Sequence, residues 1–480
     1  MVNNRKRKNY SPGLHELAMI FKNKKVIIAI LVTLGILILF RVGSVIPMPF
    51  MRLEVHNESN NSFMQMMNLL GGGGLTQVSI FAIGISPYIT AQIIVQLLSS
   101  DLIPPLARMA KSGERGRKKM EVVTRLLTLP FAGIQAYAIL TMATSAQRGF
   151  VHFASNLPFA VGSPAYYFFY IALMIAGTYI AIFLGDLITK RGVGNGITLI
   201  ILSGIIASLF SSFQTVFIVL KAITGQSAQL VSIISFIVYV CFYIIVLLSV
   251  VFINGSVRKI PIQQVGQALS KNEDELSYLP IKINSAGVIP VIFASSLMTI
   301  PSTVAQFLPE GSAGALWIRQ YMVLNSISGL IIYFFLIILF TFFYSYIQIN
   351  PNKISEDFKK SGRFIPGVKM GRDTEQHISR TLFRVNWIGG PFLALIAALP
   401  YIVSIVSNHA SGGVINIPSY AALGGTGIVI MVSATIELWS SIKSTATTTS
   451  YTYQRKEIEA SLSATISNET VNDNDDSQLW

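Results

Sequence analysis

Charge is scarce in this sequence. Asp, Glu, Lys and Arg make up 12% of its 480 residues, about half the share of an ordinary soluble domain. With 52% hydrophobic residues as well, the chain cannot maintain a soluble surface and reads as a polytopic membrane protein. Cysteine is almost missing. The single Cys241 stands in an apolar run, which excludes an intramolecular disulfide and a cysteine-ligated metal cluster. The five histidines, His15, His56, His152, His377 and His409, lie in the N-terminal segment or in loops, without metal-ligand spacing. No catalytic dyad stands within the apolar runs. Neither glycine-rich stretch, 71–74 or GVGNG at 192–196, carries the features of a nucleotide-binding loop. No cofactor, metal or enzymatic activity is expected.

The chain does have long apolar runs separated by basic blocks. Ten membrane-spanning segments are predicted, at 26–47, 78–99, 122–142, 165–188, 196–219, 229–253, 283–306, 326–349, 384–406 and 418–440, each near the length that crosses a bilayer. The formal charge of +14 is distributed like that of loops on one membrane side, not like a nucleic-acid surface. Arg108, Lys111, Arg115, Arg117, Lys118 and Lys119 follow the second segment, and a comparable basic block at 353–372 follows the eighth. The loops after the first, third and seventh segments hold only Arg52, Arg148 and Arg319, and the loop after the ninth holds no basic residue. This alternation predicts a multi-pass protein of the cytoplasmic membrane with both termini in the cytoplasm. The basic start, 1–25, leads into an apolar run with no small-residue cleavage site, so a retained first helix is expected. Five segments fall in an N-terminal half, 26–220, and five in a C-terminal half, 221–440. An odd number per half inverts the second half relative to the first, an arrangement that often frames a central pathway. The Ser/Thr-rich, acidic stretch 441–480 reads as a disordered cytoplasmic tail.

The chain is organised around 63–98. A short apolar piece, the glycines at 71–74 and a second apolar run together read as a discontinuous membrane element. Irregular backbone at membrane depth is tolerated only where it is buried in protein or faces a water-filled cavity. The stretch is therefore expected to line a cavity, with a glycine-rich external loop as the alternative. Ile85, Ile89, Gln92 and Gln96 recur at spacings of four, three and four and share one helix face. That face grades from apolar at mid-membrane to polar towards the cytoplasm, as in a funnel closed by an apolar collar. Glutamine packing between helices is the competing reading. Ile197 and Ile201, four apart just after GVGNG, are further candidates for an apolar constriction. The charged residues of the spans, Arg41, Arg125, Asp186, Arg384 and Glu437, all sit near span ends. That argues against an ion-coupled carrier, which needs ionisable ligands at mid-membrane.

Several motifs carry a resemblance. They are FRVGSVIPMP at 40–49, GGGGLTQVSIFAIGISPYITAQIIVQLL at 71–98, KSGERGRKK at 111–119 and RGVGNGITLII at 191–201. INSAGVIPVIFASSL at 283–297, NPNKISEDFKKSGRFIPG at 350–367 and ALGGTGIVIMV at 422–432 follow. In this order the chain resembles the SecY family of protein-conducting channels over roughly 15–440. The resemblance implies an all-α fold of ten helices in two inverted, pseudo-symmetric halves around an hourglass pore. It implies a re-entrant half-helix plug at about 63–76, containing Phe63, Met66, Leu69, Leu70, Gly71, Gly72, Gly73 and Gly74. It also implies a pore ring of Ile85, Ile89, Ile201, Ile292 and Ile430, with Ile197 beside it. Ile292 and Ile430 enter on the resemblance alone. A lateral gate is implied where Thr90 and Ile93 face Phe293, Ser295, Ser296 and Thr299, with routine small-residue packing as the alternative. The implied partners are SecE-like and SecG-like membrane subunits, signal-sequence-bearing polypeptides and anionic lipid. A SecA-type motor ATPase or a ribosome would dock at the loops holding Arg258, Lys259, Lys359, Lys360, Arg363, Lys369 and Arg372.

Two departures bear on that docking surface. Lys369 and Met370 stand where the family carries an Arg-Pro pair, which keeps the charge but loses arginine's bidentate fork. INGSVRKIP at 253–261 replaces the family's Glu-Arg opening of the loop after the sixth helix. The expected function is passage of unfolded secretory polypeptides, with hydrophobic segments released sideways into lipid. An accessory channel for a narrow substrate set and an inverted-repeat solute transporter are the alternatives.

Overall fold

The computed structural model describes residues 24–53, 78–99, 104–144, 151–153, 162–224, 229–264, 277–309, 311–410 and 425–447. The N-terminal half contains α1 (Lys24–Val45), β1 (Met51–Leu53), α2 (Ser86–Ser99), α3 (Pro104–Lys111), α4 (Gly113–Thr144), β2 (Val151–Phe153), α5 (Pro164–Arg191) and α6 (Gly196–Thr224). The C-terminal half begins with α7 (Gln229–Gly255), β3 (Val257–Pro261), β4 (Gln263–Gln264), β5 (Tyr278–Lys282) and α8 (Ile289–Phe307). It continues with α9 (Ala313–Tyr321), α10 (Ile327–Ile349), α11 (Pro351–Ser361), β6 (Arg363–Phe364) and α12 (Arg372–Ala410), and closes with α13 (Gly425–Thr447). Eight described helical stretches are long and apolar enough to cross a membrane, and Gly196–Leu209 within α6 is a shorter apolar one. The protein is a helical, multi-pass membrane protein. Its described strands pair only as three two-stranded antiparallel sheets in the connections, β1 with β2, β3 with β5 and β4 with β6.

The second predicted span departs from a plain helix. The sequence predicts 78–99, yet helix begins only at Ser86, and α2 has 14 residues. At 1.5 Å per residue it reaches about 21 Å, well short of the ~30 Å hydrocarbon core. Residues 78–85 turn instead, because Val78 (φ 42°) and Gly84 (φ 57°) take left-handed backbone that no right-handed helix contains. Their polar backbone is enclosed: Met48 N–H donates to the Val78 carbonyl at 3.1 Å, and Pro47 bridges Ser79. The Ile80 carbonyl lies against Gly177 of α5, in space that any Cβ there would occupy. Irregular backbone is thus sheltered by protein, as a membrane requires.

Several helices outrun their predicted bounds, among them α4, which starts nine residues before the predicted 122. α12 starts twelve residues before the predicted 384 and takes His377 into helix, because Ile378 and Leu382 bury in a small core with Phe358 and Ile365. α13 extends to Thr447, where Ala446 and Ile442 pack on Val26 and Ile30 of α1. The rest of the tail and the whole plug segment, 63–76, lie outside the described residues. Elsewhere α1 packs on α5 and α6, α2 on α4, and α10 on both α8 and α12.

Candidate pore, gate and partner surface

The predicted ring positions lie on or next to four helices. Ile85 just ahead of α2, Ile89 on α2, Ile201 on α6, Ile292 on α8 and Ile430 on α13 belong to one contiguous buried apolar cluster. Ile197 is half-buried and packs against it. Close approach at the start of α6 depends on Gly196, whose missing Cβ leaves room for the Gly185 carbonyl of α5. The first turn of α6 is capped: Asn195 Oδ1 accepts from Ile197 N–H at 3.1 Å, and Thr189 Oγ1 accepts from Gly196 N–H at 2.9 Å. Beyond the isoleucines on α2, Gln92 is exposed and Gln96 half-buried. Among the described residues, no Asp, Glu, Lys, Arg or His is buried.

α8 stands between α2 and α4 on one side and α10 and α12 on the other. All six predicted gate positions, Thr90, Ile93, Phe293, Ser295, Ser296 and Thr299, are buried. The hydroxyls of Thr90 and Thr299 donate to carbonyls of their own helices, Ser86 at 3.1 Å and Ser296 at 2.6 Å. Ser296 Oγ is buried without a hydrogen-bond partner. Ser295 and Phe293 turn towards α10: Ser295 Oγ is 3.2 Å from the Tyr333 hydroxyl, and Phe293 meets Phe340 and Tyr344 edge-on, each with centroids 5.9 Å apart. The Tyr344 hydroxyl also lies near the Gln96 side chain, bringing α10 close to α2. Tyr137 of α4 stacks on Phe307 of α8 at 5.3 Å.

Tyr333 and Tyr344 of α10 therefore pack against α8, and the sequence pattern singles out neither tyrosine. A tyrosine in an aliphatic run has no spacing signal; its hydroxyl partners come from other helices. Arg125 of α4, one of the charged span residues, pairs with Glu121 of its own helix and with Asp186 of α5.

At the basic end of the C-terminal half, two connections merge into one body. β3 and β5 form a hairpin, while β4 pairs with β6 from the connection after α10. Ile260, Ile262, Ile281, Phe358, Ile365, Ile378 and Leu382 bury beneath them. Arg258, Lys259, Lys359, Lys360, Arg363, Lys369 and Arg372 are all exposed on this body, with Lys259 Nζ 4.8 Å from the Tyr278 ring centroid. Its base is polar and buried. Asn284 Nδ2 donates to Asn254 Oδ1 at 2.6 Å, and Ser433 Oγ of α13 is 3.5 Å from the same oxygen.

A family model described as SecY matches residues 79–439. A protein translocase subunit SecY of Mycoplasmoides gallisepticum is 50% identical over 453 residues, covering 93% of this chain and 88% of the relative. One of Mycoplasma pneumoniae is 48% identical over 442 residues, covering 92% and 90%. One of Staphylococcus carnosus is 35% identical, covering 88% and 95%. The fold is similar to that of a solved protein-conducting channel, with TM-score 0.61 at 20% identity over 87% of this chain and 92% of the other. It is also similar to Sec61 in a canine ribosome–channel complex, with TM-score 0.57 at 19% identity and the same coverage. With its motifs, its helical architecture and the match over 79–439 all in agreement, the chain belongs to the SecY family.

Proposed function

We propose that the chain is the pore-forming subunit of a protein translocase, passing unfolded secretory polypeptides across the cytoplasmic membrane and releasing hydrophobic segments sideways into lipid. The observation that supports this reading is the burial of isoleucines on or next to four helices in one apolar cluster, with no buried Asp, Glu, Lys, Arg or His among the described residues. An apolar constriction expels water when empty. It yields to any side chain, whereas a transporter site needs fixed polar ligands. A charged residue costs about 2.5–3.5 kcal/mol at mid-bilayer, so a secretory chain needs such a path. An apolar segment of some 20 residues gains several kcal/mol in lipid by the same scale and leaves sideways once the wall parts.

In this reading the basic body faces the cytoplasm with both termini, and Gln92 and Gln96 line the cytoplasmic funnel. The seam between α2 and α8 is the lateral gate, and 63–76 is the plug. SecE-like and SecG-like subunits complete the channel, and anionic lipid meets its basic loops. A SecA-type motor or a ribosome engages Arg258, Lys259 and the 359–372 block. The test uses the lone cysteine. Cys241 is replaced by serine, a cysteine is placed at Ile292, and a secretory precursor with its own cysteine is arrested in passage. A disulfide at Ile292, with none at a lipid-facing control such as Phe335, is the expected result. Absence of crosslinks from every ring position, with the precursor engaged, would sink the channel reading.

A further inference from the structure

We propose that Tyr333 is a positioning residue that holds the ring isoleucines Ile292 and Ile430 at a fixed separation; this rests on the ring reading above. Tyr333 is fully buried on α10. Its hydroxyl lies 3.2 Å from Ser295 Oγ of α8 and 3.3 Å from Thr426 Oγ1 of α13. Ser295 itself donates to the Val291 carbonyl at 2.8 Å. The order Thr426 to Tyr333 to Ser295 to Val291 therefore gives every hydroxyl proton an acceptor. Inside a membrane protein a hydroxyl without a partner is strongly disfavoured, so three helices meet at one defined point. Tyr401 of α12 braces the phenol ring edge-on, with centroids 6.0 Å apart.

The placement of that point gives it a role. Ser295 follows Ile292 by three residues, and Thr426 precedes Ile430 by four, spacings that share a helix face. α8 and α13 correspond to the seventh and tenth predicted spans and so run in opposite directions. Both isoleucines consequently lie about one helical turn to the same side of the hydroxyl chain. Thr90 and Thr299, at the seam with α2, bond within their own helices. The clamp thus ties α8 to the C-terminal half and keeps that side of the collar in register.

The experiment measures resting ion leak through the full-length chain in liposomes. Tyr333→Phe keeps the ring and removes only the hydroxyl. It is expected to raise the leak about eightfold, the population shift for two interhelical hydroxyl bonds in a membrane at about threefold each. Thr426→Val, which removes one of the two bonds, should raise it about threefold; the double variant should leak no more than Tyr333→Phe, and Thr426→Ser should keep the parental leak. Tyr243→Phe serves as the control for a buried hydroxyl without a partner and should leave the leak unchanged. If Ile292→Gly leaks and Tyr333→Phe does not, the clamp is refuted while the ring stands. If neither leaks, the ring reading falls and the clamp falls with it. Equal leak from Tyr243→Phe and Tyr333→Phe would also overturn the clamp.

Discussion

Removing the Phe358 ring tests whether the two basic connections are one folded body. Phe358 sits among Ile260, Ile262, Ile281, Ile365, Ile378 and Leu382, outside the membrane spans, so water is the reference state for its burial. Truncating a buried phenylalanine costs ~3–5 kcal/mol, and the lower end suits a small core that partly collapses. A loss of about 3 kcal/mol raises the local opening constant roughly a hundredfold. Two amides report it directly: Ile262 N–H, bonded to the Ser277 carbonyl at 2.8 Å, and Ile283 N–H, bonded to the Ser256 carbonyl at 2.9 Å. In Phe358→Ala, hydrogen exchange at both should accelerate by that factor, while amides in the middle of α5 keep their parental rates. Binding of a basic-surface partner should weaken with it, because the lysines and arginines lose their common scaffold. Parental exchange at Ile262 in the variant would show that the hairpin stands without this core. Uniform acceleration that includes α5 would show that the body is no independent unit. Either result refutes the reasoning.

Gly177→Ala should push the Ile80 carbonyl away from α5 and lower stability by about 1–3 kcal/mol, the usual cost of overpacking; an unchanged unfolding midpoint in detergent would show that the 78–85 turn relaxes freely. Asp186→Asn should cost about 1 kcal/mol, since the ion pair with Arg125 is part-exposed and Glu121 remains as a partner. Combining it with Arg125→Gln should recover part of that loss, and simple additivity in the same unfolding assay would contradict a direct α4–α5 coupling.

Much of the fold is legible in the sequence because a membrane imposes a coarse pattern. Apolar runs of spanning length mark the helices, and spacing offers Ile85, Ile89 and Ile201 as candidates for an apolar constriction; all three are buried in one large apolar cluster. What stays hidden depends on partners from elsewhere in the chain. The break ahead of Ser86 follows from left-handed backbone at Val78 and Gly84, which an apolar run does not reveal. The early start of α12 follows from Ile378 and Leu382 burying against Phe358, a contact between segments that composition reads as one polar loop. The motif places Ser295 at the gate, but its hydroxyl points to Tyr333, and no spacing rule foretells which side of a buried helix a serine will bond. Arg258 and Arg363 read as charges of separate loops; pairing of β4 with β6 joins those two connections in one body.

The hairpin base has a mechanical consequence. β3 leaves α7 after a single residue, Ser256, and that residue's carbonyl is bonded by Ile283 just ahead of α8. Asn254 and Asn284 close the same junction from their side chains, and Ser433 brings α13 to it. On the α7 side this joint has no spacer beyond Ser256, while 283–288 separate β5 from α8. A load applied to the exposed hairpin would bear, through the Asn254–Asn284 junction, on the approach to α8 and on the flank of α13. The two helices that carry Ile292 and Ile430 then form the short arm of a lever whose long arm lies outside the bilayer.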